Sequence, residues 1–233
     1  MRTHLARIEE TRTLAGRAAQ AVLDPDARML DAGLYSTVGP PLLAPALEAF
    51  SAIAADVELV LYDVWGPKAY DLLLSGAFDC AIVARQAQLP ARVEAVQLTT
   101  EQMVIGASAR LSLTGRTSMQ LRELSGQVYL DRLRCEFREP ISGLMKHEGI
   151  TPVTRPRSES DAWILHAVAM GEGVTIGPRS ILDTPGVIAI DIEDAVFERP
   201  IDLITVTGRA LSPVARRFVD CIAGFDWTRY SAA

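Results

Sequence analysis

The sequence predicts an α/β protein with parallel strand pairing, and three observations carry that prediction. From Arg28 onward, short apolar strands alternate with helices, an order that right-handed crossovers convert into a parallel sheet. Cys80 to Ala84, CAIVA, is a continuous apolar run of the kind that lies buried on both faces of such a sheet. With 49% hydrophobic and 22% charged residues among 233, the chain can bury a sizeable core as one large domain or two small lobes.

The elements follow in order. Leu5, Ile8, Arg12, Ala15, Ala19 and Val22 recur at the three- and four-residue steps of a coiled-coil seam, which predicts a linker helix ended by Asp24-Pro25. Arg12, Ala15 and Ala19 bury little apolar area, so this helix is expected to lean on a partner chain or a missing neighbour, the alternative being a plain surface helix against its own domain. Arg28 to Tyr35 then reads as a strand, Val38-Gly39-Pro40-Pro41 opens a helix to about Ala54, and Val57 to Val64 is a second strand. Pro67 to Ser75 is a helix stopped by Gly76, CAIVA follows, and Val93 to Gly106 is extended. Gly106-Ala107-Ser108 is a candidate lobe boundary.

Beyond it, Ser118 to Leu124 is expected as a short helix, Val128 to Leu130 as a strand, and Cys135 to His147 as a helix stopped by Gly149. Pro152 to Arg157 is extended, Asp161 to Met170 helical, and Val174 to Ile176 and Val187 to Ile192 are strands. Ile201 to Thr207 is a strong strand, and Ser212 to Phe225 is an amphipathic closing helix with a serine cap and Pro213 in its first turn.

Composition excludes several functions. No apolar run approaches the roughly 20 residues that span a bilayer, and the opening MRTHLARIEETRTLAGR is charged where a secretion signal would be apolar. A cytoplasmic location without membrane contact is expected. Cys80, Cys135 and Cys221 are too few and too scattered for a disulfide framework or a four-ligand zinc site. A net charge of -6 opposes a phosphate backbone. Gly171-Glu172-Gly173 precedes a strand instead of following one, so it is a turn and not a dinucleotide loop. His4, His147 and His166 have neither metal nor triad spacing, and no Gly-x-Ser-x-Gly elbow occurs. Neither catalysis nor a cofactor is expected.

The turn Ser36-Thr37-Val38-Gly39 offers two hydroxyls and backbone N–H groups at a helix start whose Pro40 lacks its donor. That is a ready place for an anion, unless a hydroxyl merely caps its own helix. Trp65 and Trp163 stand near a strand end and a helix start, where flat apolar walls can line a pocket, with core packing the equal alternative for Trp163.

The ordered set of elements resembles the effector domains of LysR-type transcription regulators. From Leu34 to Arg85 it runs through Ser36-Thr37, a Pro-Leu-Leu helix, VELVLYDV, a Gly66 turn, LLLSGAFD and AIV. It continues with Leu121-Arg122-Glu123-Leu124-Ser125-Gly126, then Val168 to Pro178 as VAMGEGVTIGP, and ends on Leu211 to Phe218 as LSPVARRF. The resemblance implies a periplasmic-binding-protein type 2 fold: two Rossmann-like lobes, two crossover strands as hinge, and a small effector between them.

Residues 1–25 would be the linker and dimerisation helix, 26–105 with 206–233 the first lobe, and 106–205 the second. The winged helix-turn-helix of such regulators is not present in the sequence, so DNA contact is expected only through that missing domain, with the chain itself forming a homodimer or homotetramer. Family topology sets Ser36, Thr37 and Val38 across a cleft from Arg132 and Arg134, which with Arg85 could clamp an acidic effector bidentately. The alternative for these arginines is pairing with neighbours such as Asp131 and Glu136.

Cys135 would lie beside them. Peroxide-sensing members of the family make its thiol a redox candidate, but no resolving cysteine is evident, and a pocket-lining thiol is the expected role. A solute-binding receptor of a transporter shares this fold and is the alternative; the charged N-terminus and the cysteine pattern count against it.

Overall fold

The computed structural model describes residues 28–110, 113 and 115–230. The linker helix expected within residues 1–25 lies outside the described residues.

The first layer is built as the alternation predicts. Strands β1 (Met29–Tyr35), β2 (Glu58–Val64) and β3 (Cys80–Ala84) pair in parallel, with β1 in the middle. Helices α1 (Pro40–Ile53) and α2 (Lys68–Ser75) cross between them. CAIVA is buried at all five positions. Helix α6 (Pro213–Ala223) closes this lobe, its Ser212 hydroxyl accepting from the Ala215 N–H at 3.2 Å. Leu30, Leu43, Phe50, Phe78, Ile82, Leu203 and Phe218 form its core, and Phe50 meets Phe218 edge to face with centroids 5.0 Å apart.

Two long strands run on from this lobe. β4 (Val93–Ser108) and β10 (Glu198–Val206) pair antiparallel. β10 flanks β3, whereas the far half of β4 carries β8 (Thr175–Pro178) and β9 (Val187–Ile192). The resulting order is β2-β1-β3-β10-β4-β9-β5, where β5 is Ser118–Met119 and β8 adds to β4. A second core, including Met103, Ile105, Leu124, Ile141 and Ile176, lies under this half. β6 (Val128–Arg132) and β7 (Val153–Ser158) form a separate parallel pair beside α3 (Arg138–His147) and α4 (Asp161–Met170). The chain is thus a two-lobed α/β fold whose lobes share β4 and β10.

Four departures of the structure from the sequence reading matter most. Ser118 to Leu124 is not one helix: it divides into β5 and a 3-10 turn at Leu121–Leu124, held by reciprocal Gln120 and Glu123 side-chain bonds. α3 starts at Arg138 instead of Cys135, leaving residues 133–137 as a loop. One further helical turn, α5 (Arg179–Leu182), has no apolar periodicity to announce it. Finally, β10 begins at Glu198, three residues before the expected start. Pro200 is tolerated because the β4 register shifts beside it, between Ile201 and Asp202, and prolines are accepted at such irregularities.

The first lobe also holds a titratable strain. Asp79 is 6% exposed, and burial, followed by the charge of Asp31, raises its carboxyl to about 6, against the opposing effects of the Asp31 N–H bond and Arg209. A raised folded-state value favours the protonated native form, so this group's stabilisation is full below about pH 4 and is lost as pH rises through about 6. That displacement from the ordinary carboxylate value corresponds to about 3 kcal/mol. Asp79→Asn is therefore expected to stabilise the protein by about 2 kcal/mol at pH 7–8 and by nothing at pH 4. Urea unfolding at the two pH values checks this; an equal effect at both would refute it.

Candidate functional site

The lobes meet where α1 begins. Gly39 is packed so closely on the other lobe that a Cβ there would stand 2.4 Å from the Ser180 carbonyl carbon. Its N–H donates to the Ser180 hydroxyl at 3.1 Å. The helix start is therefore capped from the second lobe, and neither Ser36 nor Thr37 caps α1.

Thr37 instead faces Arg199, a guanidinium 2% exposed on β10. Arg199 Nη1 donates to the Thr37 hydroxyl at 2.6 Å, and Nη2 to the Thr37 carbonyl at 2.6 Å. Nε and Nη2 donate to Glu101 Oε2 at 3.1 and 2.7 Å. Nη1 also reaches Glu136 Oε1, which accepts from the Thr37 hydroxyl at 3.3 Å. Glu101 Oε1 in turn accepts from the Ser180 N–H at 2.7 Å. One arginine on a crossover strand thus holds a helix start of the first lobe, a carboxylate on β4 and a carboxylate from the loop after β6.

In front of this network lies a cleft of about 390 Å³. Tyr35, Trp65, Gly66, Arg85 and Gln86 line it from the first lobe, and Leu133, Arg134, Cys135, Glu136 and Phe137 from the second. The Gly66 N–H donates to the Tyr35 hydroxyl at 3.0 Å, which fixes the turn carrying Trp65. Burial first, and then Glu136, push the Tyr35 phenol upward, so it stays neutral. Arg134 lies 5.5 Å from the Trp65 ring centroid, a cation–π contact across the mouth.

The residues expected to touch a ligand fall into four groups. Trp65, Arg85, Arg134 and Cys135 line the cleft, although Arg85 is engaged bidentately by Asp202 at 2.6 and 2.7 Å. Ser36 and Thr37 do not line it: Thr37 is fully buried in the Arg199 network, bonded to the lining residue Glu136, and Ser36 Oγ has no hydrogen-bond partner among the described residues. Val38, 4% exposed, belongs to the first core. Arg132 and Trp163 are outside the lining. Arg132 is 1% exposed, with its guanidinium on Asp161 at 2.7 and 3.0 Å; Trp163 is 73% exposed on α4.

Arg199 and Glu101 escaped the sequence reading, and Glu136 entered it only as a counter-charge to the arginines. The available signal was an arginine leading an apolar run, ERPIDLITV, which the proline disguised.

Burial pushes the Cys135 thiol up, with Arg132 opposing it. Cys80 is also raised, within the first core. Neither environment favours a thiolate. Among the described residues no group of three or more His, Cys, Asp or Glu side chains could hold a metal ion, and no helix is long and apolar enough to cross a membrane.

Comparison with known proteins agrees with this architecture. Residues 24–226 match the family model described as the LysR substrate binding domain. The chain is 29% identical to the hydrogen peroxide-inducible genes activator of Haemophilus influenzae over 93% of its own length and 71% of that protein's. It is 25% identical to the regulator TfdS of Cupriavidus pinatubonensis over 82% of this chain and 66% of that one, and it spans 57% of the Dickeya chrysanthemi peroxide activator. Among solved structures, the effector-binding domain of QuiR in complex with shikimate superposes with a TM-score of 0.69 at 20% identity, covering 88% of this chain and 98% of that one. Full-length CbnR complexed with its target DNA gives 0.71 at 22%, covering 94% and 79%.

Proposed function

The chain belongs to the LysR substrate-binding-domain family, and we propose that it is the effector-sensing part of a regulator, binding a small acid in the interlobe cleft and performing no chemistry on it. The carrying observation is the cleft itself, lined from both lobes and backed by a single arginine that ties the lobes together. A ligand contacting both walls favours one lobe arrangement by as much as its affinities for the two arrangements differ. Shared β4 and β10 are the elements that would bend. The Arg134 guanidinium on the cleft wall supplies donors for an acid group; Ser36, next in sequence to the lining residue Tyr35, holds a hydroxyl with no partner among the described residues, and the domain boundaries expected from the sequence put the two residues on opposite lobes. DNA contact would come from a segment of the full-length regulator outside this chain, in the cytoplasm.

Titrating the chain with small carboxylic acids under a thermal-shift readout tests this, since a ligand that binds only the native state raises its apparent stability. Thr37→Val keeps the shape and removes the buried hydroxyl that Arg199 and Glu136 share, so its cost of about 1 kcal/mol or more falls on folding stability, whereas Arg134→Met, on the cleft wall, is expected to weaken the binding of any hit. Hits that ignore Arg134→Met would place binding elsewhere.

The chain is also proposed to form a homodimer or homotetramer. β2 is a sheet edge with Leu61 39% exposed, and α4 exposes Trp163 and Met170, apolar surface of the kind that marks contacts. Sedimentation showing a monomer at high concentration would overturn this.

A further inference from the structure

We propose that the effector carries a protonated amine beside its acid group, and that Glu136 is the residue that recognises the amine. The inference rests on the effector-binding reading above.

Charge around the cleft carries it. Three arginines border the cavity or its base, and each has its own carboxylate: Arg85 with Asp202, Arg134 with Glu159, and Arg199 with Glu101. Glu136 is then a second carboxylate on Arg199, the one negative charge of this group without a cation to itself. It is mostly withdrawn from water, its side chain 19% exposed, where an unbalanced charge is costly. Tyr35, the polar neighbour across the cleft, is a neutral phenol and cannot offset it.

Hydrogen bonding identifies the missing partner more closely. Glu136 Oε1 is engaged by Arg199 and Thr37, but Oε2 accepts nothing among the described residues. Two residues earlier on the same cleft wall, Arg134 Nε likewise donates to nothing. An unmet carboxylate oxygen and an unmet guanidinium N–H thus lie along one short segment, residues 134–136. A plain carboxylate could satisfy Arg134 but would be repelled by Glu136. A neutral ligand would leave the excess charge in place. A small zwitterion, with its carboxylate at Arg134 and its ammonium at Glu136, satisfies both groups and balances the charge. An α-amino acid is the simplest such molecule.

Calorimetric titration of the whole chain tests this with matched pairs, each proteinogenic amino acid against the acid bearing hydrogen in place of its amine. At least one amino acid is expected to bind about tenfold or more tightly than its des-amino partner. In Glu136→Gln, which keeps the volume and whose fold circular dichroism verifies, that preference should vanish, with the des-amino acid binding as well as or better than before. Des-amino acids binding wild type as tightly as amino acids would overturn the amine while leaving effector binding intact. Binding confined to neutral compounds would overturn it as well, and binding of nothing would count against both readings. The wild-type comparison stands even if the variant fails to fold.

Discussion

Replacing Arg199 with methionine is expected to cost about 3–5 kcal/mol of folding free energy, the range for removing one partner of a buried ion pair. The guanidinium is 2% exposed and its partner Glu101 has a side chain 5% exposed, so the carboxylate left behind cannot recover water. Glu136, 19% exposed, is stranded as well, and the Thr37 carbonyl loses a donor at 2.6 Å. Methionine fills the aliphatic space, which separates lost charge from lost packing. Because two carboxylates then face each other without a cation, Glu136→Gln should be less harmful in the Arg199→Met background than in wild type, and the pair should be non-additive by more than about 0.5 kcal/mol. Urea unfolding with an unchanged slope reads both quantities. A loss under about 1 kcal/mol would mean that water or a rearranged loop replaces the arginine.

That network also marks the limit of what the sequence discloses. Local alternation and apolar runs locate nearly every strand and helix of both lobes, because burial imposes those patterns residue by residue: CAIVA is read correctly to both its ends. Loop 133–137 and the start of β10 were misplaced for related reasons. Cys135 reads as the first residue of a helix running to His147, yet its N–H closes a turn on the Arg132 carbonyl at 3.1 Å, and α3 begins only at Arg138. Pro200 reads as a strand boundary, whereas the register shift beside it lets β10 continue. The candidate site inherits both errors. Its polar contacts join residues 37, 101, 136 and 199, separations at which a single sequence carries no pairing signal, so the Ser36-Thr37 turn was legible as a polar helix start and its partner Arg199 was not.

Arg132 and Arg134, alike in sequence as possible ligand clamps, are expected to separate cleanly on substitution. Arg132 is 1% exposed and bonded twice to Asp161, itself 18% exposed at the side chain. Gly177 makes room for it, since a Cβ there would lie 2.9 Å from Arg132 Nη1. Arg132→Met should therefore destabilise the protein, but by less than Arg199→Met. Asp161 opens α4, where the helix dipole returns about 0.3–1 kcal/mol to a negative charge, and its partial exposure lets water help, leaving a loss of about 2–3 kcal/mol. Arg134 pairs with an exposed Glu159, at side-chain exposures of 31% and 68%, a class of contact worth about 0–1 kcal/mol. Arg134→Met should leave unfolding nearly unchanged and weaken any cleft ligand by about tenfold, the worth of one charged hydrogen bond. Unfolding curves and ligand titrations on both variants, at a temperature where each stays folded, supply the four numbers. The assignment reverses if Arg132→Met keeps its stability and loses the ligand, because the Arg132–Asp161 pair would then open to admit it.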